Sequence, residues 1–203
     1  MERESYKMKR MVACLGTALI CLAGLTALIA EEKAQAPSYR DGDYWWYRVA
    51  GKIYELTIVA GKLKIYDPKP DGKIEVEGEP ANALSGMIAV GEPDKELVQF
   101  PLFVGKEWSH RYDTGKQGRP RKFGTVAVTQ SVESRATGIE DITTPAGSFR
   151  AFKIERNETK RGRESMSGFV YYSPETRSVV KYEYGFPGKA TKVVELTKYG
   201  SGK

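Results

Sequence analysis

The sequence predicts an all-β protein, an antiparallel meander that forms a curled sheet or half-barrel and follows an N-terminal signal or anchor helix. Three observations predict this fold class. Short runs rich in Val, Ile, Tyr, Thr and Trp alternate apolar and polar residues with a period of two. Gly, Pro, Asp and Asn separate these runs, and no long stretch has the 3.6-residue period of an amphipathic helix.

The N-terminal segment is distinct from the rest of the chain. Met11 to Ala30 carry no charge and follow a basic start, which is typical of an export signal. The segment is about as long as the ~20 residues that span a bilayer, so a cleaved signal peptide and an uncleaved membrane anchor both fit. Ala34-Gln35-Ala36 has the small-x-small form of a cleavage site, and Ala30 is a second candidate. We therefore divide the chain into residues 1–36 and a single β domain, residues 37–203.

Composition excludes several chemistries from this domain. Both cysteines, Cys14 and Cys21, lie in the N-terminal segment, so residues 37–203 form no disulfide, thiolate nucleophile or zinc thiolate site. Of the 32 basic and 26 acidic residues, four basic and two acidic precede Met11, which leaves 28 and 24 and a formal charge of +4. That balance excludes nucleic acid as the expected partner, because nucleic-acid binding needs a concentrated basic stripe.

Strands are predicted where the alternation is bounded by turn residues. Ala60-Gly61 and Asp71-Gly72 are hairpin signals, and Ser173 to Thr176 and Gly185 to Gly188 are turns. The segment from Gly78 to Asp94 has Pro and Gly at both ends and can hold either one short helix or one short strand. The predicted strands are Tyr44 to Ala50, Lys52 to Val59, Lys62 to Tyr66, Lys73 to Glu77, Glu107 to Tyr112, Lys122 to Glu133, Ser148 to Arg156, Ser165 to Tyr172, Ser178 to Tyr184 and Thr191 to Tyr199.

The most distinctive stretch is the corner Pro145-Ala146-Gly147-Ser148. Pro145 fixes its φ, and Gly147 can take a positive φ, so the corner suits a tight reversal between antiparallel strands. The alternative makes Ser148 a nucleophile. A nucleophile elbow needs Gly-x-Ser-x-Gly between a strand and a helix, whereas Phe149 begins a strand here. We therefore predict a turn.

No catalytic constellation, metal site or cofactor is predicted. His110 is the single histidine of the chain, and Ser109 beside it in a strand points to the opposite face. Without cysteine, only scattered carboxylates remain as metal ligands. A carboxylate pair drawn from residues such as Glu55, Glu140 or Glu183 is the enzymatic chemistry that stays open, because the separation of the two groups decides it. We expect a protein that is not an enzyme.

Four stretches in a fixed order carry a family resemblance. They are "FPLFVGKEWSHRYD" (100–113), "IEDITTPAGSFRAFKIE" (139–155), "GFVYYSPETRSVVKYEY" (168–184) and "VVELTKY" (193–199). The chain resembles the uncharacterised exported bacterial β-proteins of the TapB-like family over residues 100–199. The resemblance implies an exported antiparallel sheet that curls into a half-barrel, somewhat like lipoprotein carriers, and implies no known activity. Together with the export segment, it implies the periplasm or cell envelope of a bacterium. If residues 11–30 are not cleaved, they anchor the protein in the inner membrane.

The aromatic strand "DYWWYRV" favours binding. Tyr44 and Trp46 face one way while Trp45 and Tyr47 face the other, and Trp108 starts a similar aromatic strand after Gly105. One face can belong to the core. The other needs a second apolar surface, which is the interior of a half-barrel, a partner protein, a lipid, or a terminal segment of the chain itself.

A basic rim is the second feature that favours binding. If Lys122 to Thr144 form one bent strand, several loops leave the sheet at the same end and can face phospholipid headgroups or acidic polysaccharide. A hairpin at Ala136-Thr137-Gly138 moves the first loop away, and basic hairpin tips that keep sheet edges soluble are the simpler alternative. The rim residues are Lys116, Arg119, Arg121, Lys122, Lys160, Arg161, Arg163 and Lys189.

Two functions follow as hypotheses. The first is an exported protein that holds a lipid or other apolar ligand in a concave sheet without catalysis, and the alternative is an envelope protein–protein interaction module with a filled core. Empty volume between the interior residues favours the ligand, whereas a packed interior with aromatic residues outside favours the module. The expected interior residues are Leu56, Ile58, Val126, Val128, Val180 and Tyr182.

Overall fold

The chain divides into two compact units, Met1–Glu31 and Glu32–Lys203. The computed structural model describes residues 32–66, 73–75, 80, 82, 96–113, 129–161 and 163–202. The predicted N-terminal helix lies outside them. Apart from helical residues at Pro80 and Asn82, the elements of this described part are strands. The strands are β1 (Lys33–Ala34), β2 (Tyr44–Val49), β3 (Lys52–Val59), β4 (Lys62–Tyr66), β5 (Lys73–Glu75), β6 (Leu102–Phe103), β7 (Glu107–Asp113), β8 (Thr129–Thr144), β9 (Gly147–Lys160), β10 (Arg163–Ser173), β11 (Ser178–Gly185) and β12 (Lys192–Gly200).

Ten of the described strands form one open antiparallel sheet in the order β5-β4-β3-β2-β12-β11-β10-β9-β8-β7. Within this sheet β2 to β5 are neighbours in sequence order, and so are β7 to β12. β12 also pairs with β2 and so joins the two runs, which leaves β5 and β7 at opposite edges. The remaining two strands, β1 and β6, pair with each other. The predicted all-β antiparallel class is therefore confirmed, and the predicted half-barrel curvature stays a prediction.

Turn chemistry explains the first hairpins. Ala60 and Gly61 have φ angles of 54° and 71°, which is the double positive-φ geometry of a two-residue hairpin between β3 and β4. Ala50 and Gly51 join β2 to β3 in the same way, with φ angles of 50° and 82°. Both turns use glycine at the second position, where a positive φ costs least. The predicted Asp71-Gly72 turn lies outside the described residues.

The longest hairpin joins β8 to β9. Its two strands pair from Gln130 with Lys160 to Thr144 with Gly147, and the register shifts between Ala136 and Gly138. The prediction that a strand ends at Glu133 is wrong, because a β-bulge accommodates the extra residue and pairing continues beyond it. The alternative of a hairpin turn at this point is excluded for the same reason. The part of the predicted strand before Thr129 lies outside the described residues.

The Pro-Ala-Gly-Ser corner is the turn of this hairpin. β8 ends at Thr144 and β9 begins at Gly147, whose φ is 135°. The Ala146 N–H donates to the Leu196 carbonyl on β12 at 3.3 Å. The Phe149 ring lies 5.6 Å from the Tyr199 ring, centre to centre. The turn therefore contacts β12, although β10 and β11 lie between β9 and β12 in the sheet, and it closes one end of the core.

Two strands were not predicted. β1 and β6 have two residues each, which is too short for a period of two to stand out in a sequence. Lys33 pairs with Phe103 and Ala34 pairs with Leu102. Ala34 and Leu102 are 5% and 0% exposed and belong to the core. Lys33 and Ala34, which the predicted division places in residues 1–36, are thus part of the folded unit Glu32–Lys203.

Candidate functional site

The aromatic strand β2 divides its side chains between the interior and the outer surface. Trp45 and Tyr47 are 1% and 0% exposed. The Trp45 Nε1–H donates to the Thr176 carbonyl at 2.7 Å, and the Tyr47 hydroxyl donates to the Val179 carbonyl at 2.8 Å. Burial raises the pKa of Tyr47, so the hydroxyl keeps its proton. The polar atoms of both interior rings are therefore satisfied by the chain itself.

Tyr44 and Trp46 lie on the opposite, outward surface of β2 and are half-buried. Lys198, paired with Trp46 on β12, places its Nζ 4.8 Å from the centre of the Trp46 ring and 5.6 Å from that of Tyr44. The Trp46 Nε1 has no hydrogen-bond partner within the described part of the chain. We name Tyr44, Trp46 and Lys198 the outer aromatic patch. Trp108, the remaining member of the predicted aromatic set, is 7% exposed and lies in the core.

The expected interior residues are packed. Leu56, Ile58, Val180 and Tyr182 are at most 5% exposed and belong to one hydrophobic cluster with Trp45 and Tyr47. The ring of Tyr182 lies 5.0 Å from that of Tyr184, centre to centre. Val126 and Val128 lie outside the described residues. These side chains contact one another as a core does.

Cavities at the surface of the sheet have a different lining. One cavity of about 470 Å³ is lined mainly by polar side chains of β7, β8 and β9, among them Glu107, Glu133 and Asn157. A second of about 470 Å³ extends from Glu155 to Thr191 across β9, β10 and β11. Trp108 lines the first cavity and Tyr184 the second, whereas Leu56, Ile58, Val180 and Tyr182 line neither.

The basic rim is described in part. Lys160, Arg161 and Arg163 are exposed at the tip between β9 and β10, with Arg161 in the left-handed region at a φ of 53°. Because β10 is antiparallel to both β9 and β11, the loops after β9 and β11 leave the same end of the sheet, which adds exposed Lys189. The other rim residues lie outside the described part of the chain. They are Lys116, Arg119, Arg121 and Lys122.

A buried ion pair on β9 was not predicted. Arg156 and Glu158 are 1% and 4% exposed, and Arg156 Nη2 lies 3.4 Å from Glu158 Oε1. Arg156 Nη1 donates to the Glu96 carbonyl at 3.1 Å. The two residues are two positions apart, so they share the inner face of the strand. In "IERNE" every residue after Ile154 is polar, so alternation gave no indication of which side faces inward.

Three side-chain donors meet in one row across the inner face. Trp108 on β7 pairs with Ser134 on β8, and Ser134 pairs with Arg156 on β9. Trp108 Nε1, Ser134 Oγ and Arg156 Nε are buried and have no hydrogen-bond partner among the residues that the structure describes. A buried donor without an acceptor is costly, so this row is suited to an acceptor such as water, a carboxylate or a phosphate oxygen. We name Trp108, Ser134 and Arg156 the donor row.

A second polar cluster joins the two termini of the described unit to the turn before β11. Asp43 is 0% exposed, and its Oδ2 accepts from Arg177 Nη1 and from the Arg40 N–H, both at 2.8 Å. Arg177 also donates to the Ser38 carbonyl at 2.8 Å and to Ser201 Oγ at 3.2 Å. Burial of Asp43 opposes ionisation, but the hydrogen bonds from Arg177 and Arg40 outweigh it and hold the pKa of the carboxyl below its usual value. All five residues line part of a cavity of about 320 Å³.

The candidate catalytic residues are not assembled. Ser148 Oγ lies 3.1 Å from Thr143 Oγ1 across the hairpin and is exposed. His110 Nε2 lies 3.4 Å from Glu96 Oε2, but the two atoms are not in hydrogen-bond geometry. Glu140 and Glu183 are each paired with a lysine, at 2.9 and 2.7 Å. Within the described residues no group of three or more His, Cys, Asp or Glu side chains could hold a metal ion.

The described part of the chain contains no helix long and apolar enough to cross a membrane. No protein family model matches the chain, and no curated protein does. The TapB-like resemblance of residues 100–199 therefore stays a prediction.

Three solved structures are similar to this chain. A candidate lipoprotein from Parabacteroides distasonis is 13% identical, with a TM-score of 0.43, over 84% of this chain and 100% of that one. A candidate exported protein with a YmcC-like fold from Bacteroides fragilis is 12% identical, with a TM-score of 0.39, over 83% and 100%. The hypothetical lipoprotein YmcC from Escherichia coli is 11% identical, with a TM-score of 0.38, over 83% and 92%.

Proposed function

We propose that this protein is an exported protein of the bacterial envelope that binds a partner protein and performs no catalysis. The charge-free run from Met11 to Ala30 supports export. Ser148 and His110 favour the absence of catalysis, because Ser148 has Thr143 as its neighbour and His110 has Glu96, so the two do not form a nucleophile–base pair.

The packed interior is the observation that carries the proposal. Leu56, Ile58, Val180 and Tyr182 are the positions at which a lipid carrier needs empty apolar volume, and all four are at most 5% exposed and belong to one hydrophobic cluster. Each hydrocarbon chain of a lipid needs a cavity with an apolar lining. The surface cavities on the sheet have instead a carboxylate-rich lining.

The outer aromatic patch is the proposed binding surface. Aromatic side chains with an apolar body and a polar end are enriched at protein interfaces. Trp46 presents part of its ring at the outer surface, while its Nε1 is buried and has no hydrogen-bond partner within the described part of the chain. Lys198 covers part of the ring and can move away when a partner binds.

Site-specific photo-crosslinking in the export host tests the proposed surface. A photoreactive amino acid at Trp46 is expected to form a covalent adduct with an envelope protein. The same amino acid at Phe169, which is 36% exposed on β10, is the matched control and is expected to form none. Equal adducts from both positions, or none from Trp46, would contradict the proposed surface.

A lipid or other amphiphile remains the second candidate, and the donor row favours it. Three unpaired donors face the interior side by side on neighbouring strands, as a bound carboxylate or phosphate group requires. The exposed basic tip of Lys160, Arg161 and Arg163 fits the same class of ligand. Under this alternative, Arg156→Ala reduces the amount of lipid that is extracted with the purified protein, whereas Arg135→Ala on the outer surface does not.

A further inference from the structure

The folded unit begins before the predicted cleavage site. Lys33 and Ala34 form β1 and pair with Phe103 and Leu102 of β6. Ala34 is 5% exposed, and Leu102, its partner across the two strands, is fully buried. β1 is therefore one wall of the core next to Leu102, although it has only two residues.

Contacts of the two residues before Ala34 hold the same segment. Glu32 Oε2 accepts two hydrogen bonds from Arg150 on β9, from Nη2 at 2.9 Å and from Nε at 3.3 Å. Lys33 Nζ lies 5.3 Å from the centre of the Phe103 ring. The ion pair is exposed and contributes little by itself, but it fixes the direction in which the chain enters β1.

Cleavage after Ala36 removes this segment from the protein. The sequence Ala34-Gln35-Ala36 has the form of a signal peptidase site, and its first alanine is the buried residue of β1. Removal leaves the pairing edge of β6 without its strand and exposes Leu102 to water. The other candidate cleavage site, after Ala30, lies before the folded unit. Glu32 is the first of the described residues with a structural contact.

We propose that Glu32 to Ala36 remain on the exported protein and that Ala36 is not a processing site. Processing takes place at Ala30 or further upstream, or the N-terminal segment stays attached. The small residue at the start of the motif Ala34-Gln35-Ala36 then has a structural reason, because position 34 is buried next to Leu102. This inference does not depend on the proposed partner-binding function.

Intact-mass spectrometry of the full-length chain, expressed in an export-competent bacterial host and purified from the envelope, tests the proposal. The expected N-terminus is Glu31 or any residue before it. A mature chain that begins at Pro37 would overturn the proposal. Ala36→Tyr provides a matched check, because Ala36 is exposed and a bulky residue blocks cleavage at that position. The mass of this variant is expected to differ from that of the wild-type chain only by the substitution, and an uncleaved precursor that accumulates in the variant but not in the wild-type chain would also overturn the proposal.

A pair of aspartate substitutions tests whether β1 belongs to the folded unit. In Ala34→Asp a carboxylate enters the core next to Leu102, which is expected to lower Tm by about 6–12 °C. In Ala36→Asp the carboxylate lies in water, and Tm is expected to change by less than about 2 °C. Equal melting temperatures of the two variants would contradict the role of β1.

Discussion

Replacing Arg177 with alanine tests whether the cluster at Asp43 holds the termini of the folded unit together. Asp43 is fully buried, whereas the Arg177 side chain is 27% exposed. Removing one partner of a buried ion pair costs roughly 3–5 kcal/mol, because the other charge stays in the interior without a partner. Water can enter beside Arg177 and solvate Asp43 in part, so we expect about 2–4 kcal/mol for Arg177→Ala. The φ of 57° at this position does not affect the comparison, since arginine and alanine both carry a Cβ.

The assay is urea unfolding followed by tryptophan fluorescence, with a double-mutant cycle. Asp43→Asn removes the charge but keeps an oxygen that can accept from the Arg40 N–H, so we expect a loss of about 1–3 kcal/mol. Asp43→Asn combined with Arg177→Ala is expected to cost at least about 1 kcal/mol less than the sum of the two single losses.

An exposed ion pair provides the control for this cycle. Arg135 Nε lies 3.3 Å from Glu107 Oε1, and both side chains are more than 60% exposed, so Arg135→Ala is expected to cost less than about 1 kcal/mol. Strict additivity of the Asp43 and Arg177 losses, or a loss at Arg177 as small as that at Arg135, would refute the argument from burial.

Three further predictions use the same assays. Because the pKa of Asp43 is lowered from 3.8 in the folded state, its contribution to stability is present above the unfolded pKa and is lost as pH falls through the folded value. Acid unfolding of Asp43→Asn is therefore expected to have a weaker pH dependence in that window, and an unchanged acid transition would contradict this. Gly168→Ala brings a Cβ against the Glu183 carbonyl oxygen and within 2.9 Å of Tyr184 Cα, so a loss of more than about 2 kcal/mol is expected, and an unchanged unfolding midpoint would contradict the close packing of β10 on β11. Ser148→Ala removes only an exposed hydrogen bond and is expected to change stability by less than about 0.5 kcal/mol, which a larger loss would refute.

Turn chemistry made much of the sheet predictable. Ala60-Gly61 and the Pro-Ala-Gly-Ser corner each require a positive φ next to the end of a strand, and the structure has a two-residue turn at both. The predicted bounds of β3, Lys52–Val59, are those of the structure. Such positions are local, because the residues that set the turn are also the residues that form it.

Features that depend on distant residues were not predictable. Ala136-Thr137-Gly138 can form a turn as far as the sequence shows, but Ala136 pairs with Ile154 and Gly138 with Lys153, which makes the shift between them a bulge. The burial of Arg156 depends in part on its contact with the Glu96 carbonyl, 60 residues away in sequence, which the sequence of β9 does not indicate. Alternation also assigned Trp45 and Trp46 to opposite faces, but it could not decide which of them faces the core.

Native mass spectrometry combined with organic extraction is the most direct test of the packed interior. The exported protein is purified without detergent and measured before and after incubation with membrane lipids. The account predicts the mass of the protein alone in both samples and no lipid in the extract, because Leu56, Ile58, Val180 and Tyr182 are buried in one hydrophobic cluster. A stoichiometric lipid adduct that is lost in Val180→Asp would contradict the packed interior and establish the protein as a lipid carrier.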